Sequence, residues 1–540
     1  MVFGLGQFNP TIGDVAGNQK RILEMAHQAA QAGVRLLVFP ELSLVGYPPQ
    51  DLLDYSGFVD EIRAHLDALA AQMPVAALVG FVERNPSREG KPFFNSAALL
   101  RGGRVEAVYR KRLLPSYDVF DDERYFEPGQ EVLVFDHEGV RFGVTICEDI
   151  WNHPDFSKRG YAAHPLREMR EKDVEWVVNL SASPFHLGKP ETRKRMLEGI
   201  VQRHGMGVLF CNQVGGNDDL IFDGASLAIA PDGKWCAQAP AFESRLVVFE
   251  KDKPTLSPWP ASPAQWTGEA LTLGLRDFIH KSGAQKVCLG LSGGVDSSVV
   301  ASLAVRALGA ENVKGVLLPS GFTSGASNED ALALAKSLGI QTVTLPIEGL
   351  FTAAKKTLAD QRVMLPALGE ENLQPRLRML LLMAVSASDG SVVLNTANKS
   401  ELAAGYATLY GDTLGAVGVL GDLTKAQVYE LARWLNTQGA GIPERVLQRA
   451  PSAELRPDQK DEDSLPPYPV LDRMVSSAVE NQAIESDWRQ IGASAEQAAL
   501  FSRLYRQSEY KRRQFPPILR VSTRAFGRGR RIPLAARRPF

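Results

Sequence analysis

The clearest local pattern in the chain is an apolar run, a glycine-containing polar loop and then a helical repeat of apolar positions. Val287 to Leu291 has the apolar content of a short buried strand, and Val299 to Leu308 has the spacing of a helix. The intervening residues 292–298 read Ser-Gly-Gly-Val-Asp-Ser-Ser. The pattern therefore predicts a strand, a tight loop and a helix in succession, which is a common layout of phosphate sites.

Three strand-like apolar runs in the first half of the chain each lead into a residue with reactive chemistry. These residues are Glu41, Lys111 and Cys147. Because ligands bind where the strands of an α/β sheet end, we expect the three side chains to converge. Together they would form the active site of a thiol hydrolase. Cys147 would be the nucleophile, Glu41 the general base for the thiol and later for water, and Lys111 the cation that stabilises the oxyanion.

The length of the chain and one proline-rich segment predict two domains. At 540 residues the chain exceeds what one hydrophobic core usually organises. Residues 251–266 hold four prolines among Ser, Thr and Ala, a composition typical of a linker. We therefore expect a first domain at 1–250, a linker at 251–266 and a second domain at 267–540. A further loop-like stretch, 450–468, is expected to be either a lid over a ligand or a solvated surface loop.

Charge and cysteine content argue against several classes of protein. With 60 Lys and Arg against 62 Asp and Glu, the chain has no overall signal for nucleic acid or membrane binding. The four cysteines include no Cys-x-x-Cys pair, so neither a disulfide framework nor a zinc site is indicated. The N-terminus lacks a signal-peptide pattern, and no run of eighteen apolar residues occurs. We expect a soluble, cytoplasmic protein.

The C-terminal region is the one place with a marked charge asymmetry. From Tyr510 onward it contains ten Lys and Arg and no acidic residue. A nucleic-acid contact is one interpretation, and pairing with acidic patches in the protein or across a subunit interface is the other. We expect no nucleic-acid binding, because no aromatic stacking pattern accompanies the charge. Because most soluble oligomers are symmetric homo-oligomers, we expect one here.

The loop at 292–298 has the chemistry of a metal–nucleotide site. Its two glycines allow backbone N–H groups to approach phosphate oxygens, and the following helix start adds partial positive charge. Asp296 would repel a bare phosphate, so its presence predicts Mg²⁺ between the carboxylate and ATP. A Walker A loop is excluded, because the stretch contains no lysine.

The Ser-Gly-Gly-x-Asp-Ser pattern resembles the ATP pyrophosphatase family, whose members cut ATP between the α- and β-phosphates. The resemblance implies a doubly wound parallel sheet, similar to a Rossmann fold, in the C-terminal domain. It makes Asp296 and Glu401 the pair of carboxylates at Mg²⁺. The ATP-binding positions that it implies are Gly290, Leu291, Ser292, Gly293, Gly294, Val295, Asp296, Ser297 and Thr396.

The segments around the thiol hydrolase residues resemble the nitrilase, or carbon–nitrogen hydrolase, family. Phe-Pro-Glu-Leu-Ser, Tyr-Arg-Lys-Arg-Leu-Leu-Pro and Ile-Cys-Glu-Asp-Ile-Trp carry the resemblance, which covers residues 1 to about 250. It implies a four-layer α-β-β-α sandwich in which Glu41, Lys111 and Cys147 are the catalytic triad. In the glutaminase branch of that family it also implies an amino-acid pocket. The pocket positions are Tyr117, Glu148, Ser183 and Lys189, of which Lys189 and Glu148 suit the charged groups of free glutamine.

A glutaminase joined to an ATP pyrophosphatase resembles a family of amide synthetases, in which ammonia from L-glutamine attacks an adenylated carboxylate. The resemblance extends along nearly the whole chain and implies conversion of deamido-NAD⁺ to NAD⁺, with release of AMP, pyrophosphate and glutamate. The deamido-NAD⁺ positions that it implies are Asn372, Glu401 and Lys511. Arg376 and Arg378 lie two residues apart and do not share a helical face, so we expect one of them to make only structural pairs.

Two other classes of protein remain possible from the sequence. One is a plain amidase with a regulatory nucleotide-binding module, which would not need the carboxylate pair of Asp296 and Glu401. The other is a nucleic-acid-binding or tRNA-modifying member of the pyrophosphatase group, anchored by the basic C-terminus. The glutaminase half and the absence of a reactive cysteine pair argue against the second class.

Overall fold

The structure is a computed structural model that describes residues 1–87, 89–153, 155 and 160–536. The chain divides into two compact units, Met1–Ala261 and Ser262–Phe540. No helix within the described ranges is long and apolar enough to cross a membrane.

The first unit is a mixed α/β structure. Its strands are β1 (Val2–Gln7), β2 (Leu36–Val38), β3 (Ala76–Arg84), β4 (Phe93–Arg101), β5 (Arg104–Arg110), β6 (Leu133–His137), β7 (Val140–Ile146), β8 (Trp176–Ser181), β9 (Gly207–Asn212), β10 (Val214–Asn217), β11 (Leu220–Asp223), β12 (Leu227–Ile229), β13 (Trp235–Gln238), β14 (Arg245–Glu250) and β15 (Thr255–Leu256). Its helices are α1 (Val15–Gln31), α2 (Phe58–Gln72), α3 (Asp122–Tyr125), α4 (Pro165–Arg170) and α5 (Lys189–His204), with 3-10 turns at Gln50–Asp54 and Cys147–Ile150.

Two large sheets form the centre of this unit. In the described chain their strand orders are β14-β1-β2-β3-β4-β5 and β15-β13-β12-β9-β8-β7-β6. Both contain a parallel core, β1-β2-β3 in the first and β7-β8-β9 in the second. Strands of a parallel core are buried on both faces, which explains why β2 and β8 read as nearly continuous apolar runs.

The layers of the first unit follow from where the apolar side chains pack. Phe3 and Val38 of the first sheet share one buried cluster with Val144 and Val178 of the second. Helices α1 and α2 pack on the outside of the first sheet, and α5 packs on the outside of the second. The predicted α-β-β-α sandwich is confirmed.

The second unit alternates strands and helices before ending in a helical region. Its strands are β16 (Val287–Gly290), β17 (Val313–Leu317), β18 (Gln341–Thr344), β19 (Val392–Asn395) and β20 (Val417–Gly418). Its helices are α6 (Pro263–Lys281), α7 (Val295–Leu308), α8 (Gly325–Leu338), α9 (Glu348–Asp360), α10 (Ala367–Asp389), α11 (Lys399–Ala404), α12 (Lys425–Thr437), α13 (Glu444–Gln448), α14 (Tyr468–Glu480), α15 (Glu485–Gln490), α16 (Ala495–Gln507) and α17 (Glu509–Arg512), with 3-10 turns at Ala310–Asn312 and Asp461–Asp463.

The sheet of the second unit has the order β18-β17-β16-β19-β20, and its described pairings are all parallel. The strand order reverses between β16 and β19, so the carboxyl ends of these two strands form the switch point at which such folds bind ligands. The predicted doubly wound parallel sheet is confirmed. Helix α7 begins at Val295, whereas the apolar repeat began at Val299. The polar residues Asp296, Ser297 and Ser298 form the first turn, which an apolar repeat does not mark.

The segment 251–266, expected from its composition to be a linker, contains regular structure at both ends. Thr255–Leu256 adds β15 to the second sheet of the first unit by pairing with β13. Helix α6 begins at Pro263, and its N-cap Ser262 accepts a hydrogen bond from the backbone N–H of Gln265 at 3.2 Å. The division between the compact units therefore falls inside this segment, at residues 261 and 262.

The basic C-terminal region is partly folded into the core. The guanidinium groups of Arg512 and Arg530 both contact the Glu509 carboxylate, at 2.8 Å and 2.7 Å. All three side chains are buried. Two further members of the basic set, Arg537 and Arg538, lie outside the described residues.

Candidate active sites

The predicted trio of the first unit lies at strand ends in the interior of the sandwich. Glu41 follows β2, Lys111 follows β5 and Cys147 follows β7. Glu41 and Lys111 are 1% exposed, and Cys147 is 5% exposed. The structure therefore brings these three residues together in a buried site.

The Lys111 ammonium is held between two carboxylates. Its Nζ lies 2.7 Å from Oε1 of Glu41 and 2.7 Å from Oδ2 of Asp122. Burial by itself lowers the pKa of Lys111, but the Asp122 and Glu41 carboxylates outweigh burial and raise that pKa well above its usual value. Lys111 is therefore a cation throughout the working pH range.

The hydrogen bonds of Glu41 distinguish its two oxygens. Oε1 accepts from Lys111 Nζ at 2.7 Å and from Asn95 Nδ2 at 2.8 Å, whereas Oε2 accepts from the backbone N–H of Ala182 at 3.0 Å. A carboxylate oxygen has two lone-pair sites, so both sites of Oε1 are occupied. Among the described residues Oε2 accepts this one hydrogen bond, so it is the oxygen with a lone-pair site left for a proton.

The loop that carries Glu41 packs directly on the backbone of β3. A Cβ at Gly80 would lie 2.2 Å from Leu42 N and 2.6 Å from Pro40 O, closer than side chains approach. Leu44 N–H also donates to Gly80 O at 3.0 Å. Only glycine at position 80 lets this loop lie where it does.

Cys147 occupies a tight turn and rests as a thiol. Its φ of 42° is in the left-handed region, which a non-glycine residue adopts only when its surroundings fix it. Burial, and then the negative charge of Glu41, raise the pKa of the thiol, while Lys111 opposes them only in part. The nucleophile therefore needs a base, which Glu41 can supply.

The expected amino-acid pocket contains an acidic and a basic group. Tyr117 Oη and Tyr161 Oη each donate to Glu148 Oε1 at 3.0 Å, and burial raises the pKa of Glu148. Half-buried Lys189 begins α5, and its Nζ lies 3.9 Å from the ring centre of Trp151. Burial, and then the nearby Arg193 cation, lower the pKa of Lys189 to about 8.

Ser183, the remaining pocket prediction, lies beside a buried ion pair. Its backbone N–H donates to Asn212 Oδ1 at 2.8 Å, and Arg193 Nη2 donates to Ser183 Oγ at 3.5 Å. Arg193 in turn pairs with Asp223 at 2.9 Å, and neither side chain is exposed. The pair fixes the position of the Ser183 hydroxyl.

In the second unit the glycine-containing loop joins β16 to α7 at the switch point. Ser292 and Ser297 approach each other through their hydroxyls at 3.1 Å, and Ser298 Oγ donates to Gly294 O at 2.8 Å. Gly293 has a φ of +75°, and a Cβ there would lie 2.1 Å from Ser327 O. The requirement for glycine at 293 comes from contact with the start of α8.

The predicted carboxylate pair of the second unit shares a buried lysine. Lys425 Nζ lies 2.5 Å from Asp296 Oδ2 and 3.4 Å from Glu401 Oε1. Asn398 caps α11 and donates through Nδ2 to Asp296 Oδ1 at 2.9 Å. Burial, and then the Asp296 charge, raise the pKa of Glu401 to about 8. Lys425, at the start of α12, supplies the positive charge between the two acids.

One cavity at the switch point collects most of the predicted nucleotide positions. Residues of the 290–297 loop, Thr396 and Glu401 line it, together with Lys425 and Arg449. Gly293 itself is absent from the lining, because it faces α8. Residues 450–455 and Asp461, from the stretch expected to be a lid or surface loop, also line the cavity. Its role as a lid stays a prediction.

The predicted deamido-NAD⁺ positions Asn372 and Lys511 do not line this cavity, but both contact one loop beside it. Thr408 Oγ1 donates to Asn372 Oδ1 at 2.8 Å. Lys511 Nζ donates to the carbonyl oxygens of Gly405 and Ala407, each at 2.7 Å. The loop continues to Asp412, which does line the cavity.

The two arginines upstream of this loop both make backbone contacts. Arg376 Nε donates to Leu409 O and Arg378 Nε donates to Leu318 O, each at 3.0 Å. Only Arg378 lines the cavity. The expectation that one of the two makes only structural pairs stays a prediction.

Comparison with known proteins identifies both units. Residues 3–261 match the model of the carbon-nitrogen hydrolase family, and residues 267–515 match that of NAD synthase. The chain is 44% identical to a glutamine-dependent NAD(+) synthetase of Synechocystis, with 98% of each chain covered. It is 39% identical to one of Thermotoga maritima, with 99% of this chain and 98% of that one covered. The chain belongs to the glutamine-dependent NAD⁺ synthetase family.

A solved structure of that family supports the same conclusion. The glutamine-dependent NAD⁺ synthetase of Acinetobacter baumannii, in complex with ADP, is 36% identical to this chain. The match covers 99% of this chain and 98% of that one, with a TM-score of 0.78.

The residues that complete each site stand outside the motifs of the sequence. Asp122, Asn95 and Gly80 surround the Glu41–Lys111 pair without belonging to any motif that we used. Lys425 and Asn398 contact Asp296 in the same way, and neither belongs to a motif used in the sequence analysis. Asn398 had a detectable signal, since Asn-Lys-Ser-Glu is a capping pattern with Glu at the third helical position. Lys425 lacked one, because its role depends on how α12 packs.

We expect the pocket lysine to make glutamine binding depend on pH. The lowered pKa keeps Lys189 charged below pH 8 and neutral above it, so a role in binding the glutamine carboxylate requires the KM for glutamine to rise through about pH 8. The rise should reach about tenfold at pH 9. The control is Lys189→Arg, whose cation persists at pH 9. A parallel rise in that variant would show that glutamine itself titrates and Lys189 does not matter.

We expect Gly293→Ala to destabilise the second unit. The strain of a positive φ and the contact with Ser327 O together should cost about 2 kcal/mol or more. Gly290→Ala is the matched control in the same loop, because a Cβ there meets no atom within 4 Å. Thermal melting of the two variants decides the matter, and equal melting temperatures would contradict the contact described here.

Proposed function

We propose that this chain amidates deamido-NAD⁺ to NAD⁺, using ATP and ammonia released from L-glutamine, and yields AMP, pyrophosphate and glutamate. Membership of the family supports the reaction. The observation that carries it is chemical: the chain holds a buried Glu-Lys-Cys site in one unit and a carboxylate pair beside a nucleotide loop in the other.

In the first unit the proposed reaction begins with proton transfer from Cys147 to the free site on Oε2 of Glu41. The sulfur attacks the glutamine amide carbon, and the Lys111 ammonium stabilises the oxyanion that forms. The proton on Glu41 then passes to the leaving nitrogen, which departs as ammonia. Glu41 next activates a water molecule that hydrolyses the thioester and releases glutamate. Tyr117, Glu148, Ser183 and Lys189 hold the amino-acid end of glutamine.

In the second unit the proposed ATP site is the cavity at the switch point. Backbone N–H groups of the 292–297 loop and the start of α7 face the phosphates, and Thr396 holds the nucleotide from the neighbouring strand end. Lys425 already pairs with Asp296 and contacts Glu401, and a triphosphate gives its ammonium a further anionic partner. Adenylation of the substrate carboxylate then precedes attack by ammonia.

The donor set in this cavity fits Mg²⁺. Within the described residues no group of three or more His, Cys, Asp or Glu side chains forms a metal cage. Mg²⁺ is commonly held by one or two carboxylates together with substrate phosphates, which matches the pair Asp296 and Glu401. When bound there, the ion would neutralise charge on the phosphates and the leaving pyrophosphate.

We further propose that deamido-NAD⁺ binds along the loop at 405–412. Asn372 and Lys511 fix that loop from two sides through Thr408, Gly405 and Ala407. Glu401 lines the cavity and precedes this loop by a few residues in the sequence. We further propose a cytoplasmic homo-oligomer that binds no nucleic acid; the burial of Arg512 and Arg530 against Glu509 supports a structural use of the basic C-terminal region.

We expect Cys147→Ala to abolish glutamine-dependent NAD⁺ synthesis and to leave synthesis from added ammonium intact. The variant removes the nucleophile of one unit, which should lower glutamine hydrolysis on the order of 10⁴-fold or more. NAD⁺ and glutamate formation are measured with each nitrogen donor. Loss of the ammonium-driven reaction in a folded variant would contradict separate sites.

We expect Asp296→Asn to lower synthesis with either nitrogen donor by about 10²-fold or more, because adenylation precedes both reactions. Glutamine hydrolysis should persist. Pyrophosphate release is the measurement, and an unchanged melting temperature of the variant is the control for folding. Normal pyrophosphate release by Asp296→Asn would remove the carboxylate from the proposed site.

A further inference from the structure

Asp149 is a buried carboxylate that the proposed reaction does not use. It is 1% exposed and belongs to the 3-10 turn that begins at Cys147. Its two oxygens accept four hydrogen bonds, and the donors come from two separate parts of the first unit. Each group of donors is adjacent in sequence to one residue of the trio.

The first oxygen binds the segment that follows Lys111. Asp149 Oδ1 accepts from the backbone N–H groups of Arg112 at 3.1 Å and Leu113 at 2.9 Å. Strand β5 has ended at Arg110, so these N–H groups lie beyond its ladder. A buried backbone N–H needs an acceptor, and the carboxylate provides one for both.

The second oxygen binds the residue that precedes Cys147 and a tyrosine of β5. Asp149 Oδ2 accepts from the backbone N–H of Ile146 and from Tyr109 Oη, each at 2.8 Å. The Ile146 bond closes the turn in which Cys147 has its left-handed φ of 42°. Such a conformation is strained and persists only when neighbouring contacts fix it.

The link matters because the two strands concerned belong to different sheets. Strand β5 pairs with β4, whereas β7 pairs with β6 and β8. Backbone ladders therefore fix Lys111 and Cys147 within their own sheets but do not set their relative position. The Asp149 carboxylate bonds to both segments at once.

We propose that Asp149 is a positioning residue for glutamine hydrolysis, which holds the Lys111 ammonium and the Cys147 thiol in register across the two sheets. The inference rests on the proposed glutaminase function of Cys147. Asp149 acts through its four donors, on Tyr109, Arg112, Leu113 and Ile146, and it does not touch substrate. A displacement of about 1 Å between catalytic groups can lower a rate about 10²-fold, so this register bears directly on kcat.

Asp149→Asn is the sharpest variant, because it keeps the shape and removes one acceptor. The single amide oxygen can accept either from the two donors at Oδ1 or from the two donors at Oδ2, but not from both pairs. If it stays with Arg112 and Leu113, the amide nitrogen faces Tyr109 Oη, which can rotate to accept, and the Ile146 N–H, which cannot. The Ile146 bond is then lost, and the turn that carries Cys147 is released from the Lys111 segment.

The experiment measures glutamine hydrolysis per competent site. A glutamine analogue that alkylates cysteine titrates the sites, and the full chain is compared as wild type and Asp149→Asn. We expect kcat per titrated site to fall on the order of 10²-fold while the KM for glutamine changes by less than about threefold. Ammonium-driven NAD⁺ synthesis should stay within about twofold of wild type.

Two further variants separate positioning from a merely structural role. Tyr109→Phe removes one of the four donors and should lower kcat per titrated site about fivefold. Thr145→Val, on the same strand β7, removes two buried hydrogen bonds, from Thr145 Oγ1 to Val178 O and from Asn179 Nδ2 to Thr145 Oγ1, each at 3.0 Å, and should leave kcat per titrated site unchanged.

Each outcome has a defined meaning. If Asp149→Asn has fewer titrated sites but a normal kcat per site, Asp149 has only a structural role and the inference is overturned. A variant with a normal number of sites and a normal kcat per site would overturn it as well. If Asp149→Asn does not fold, Tyr109→Phe decides, and unchanged kcat per site in that variant overturns it. A wild-type chain that does not hydrolyse glutamine, or a fully active Cys147→Ala, would instead overturn the proposed function.

Discussion

A buried ammonium between two carboxylates is the interaction on which both sites depend. In the first unit Lys111 lies between Glu41 and Asp122, and in the second Lys425 lies between Asp296 and Glu401. An ion without a partner in a protein interior costs several kcal/mol, and removing one partner of a buried pair commonly costs about 3–5 kcal/mol. Each lysine therefore permits two acids to remain close together inside the protein, where their chemistry is needed.

The backbone makes these clusters possible by placing loops against each other at close range. Parallel strands deliver their polar residues to one edge, but the loops beyond them must still pack. Gly80 lets the Glu41 loop lie on β3, and Gly293 lets the phosphate loop lie on the start of α8. In both cases a missing side chain sets the position of an acid nearby, so packing and chemistry are determined together.

The sequence predicted the strands and site residues that have a local sequence pattern. It did not predict the partner residues, whose positions depend on tertiary packing. Apolar runs predicted the strands before Glu41, Lys111, Cys147 and Ser292, and the four-layer sandwich and the doubly wound sheet followed from resemblance. The partners of these residues come from elsewhere: Asp122 lies in a short helix beyond β5, and Lys425 begins α12. Burial and pairing, which give Lys111 its permanent charge, depend on contacts that no single segment encodes. The segment 251–266 shows the converse limit, since a linker-like composition concealed a strand and a helix start.

The charge balance around Cys147 explains why the thiol is the resting form. Glu41, Asp122 and Glu148 contribute negative charge in its vicinity, and Lys111 already has two acidic partners. A thiolate would add one more negative charge to a buried site in which Lys111 is already paired with two acids, so the thiol proton is retained until a base accepts it. Oε2 of Glu41 has the free lone-pair site for that transfer, and moving the proton there leaves the total charge unchanged. The sulfur then attacks the substrate carbon while Lys111 stabilises the oxyanion, and a cysteine that remains protonated without substrate is less reactive toward oxidants and other electrophiles.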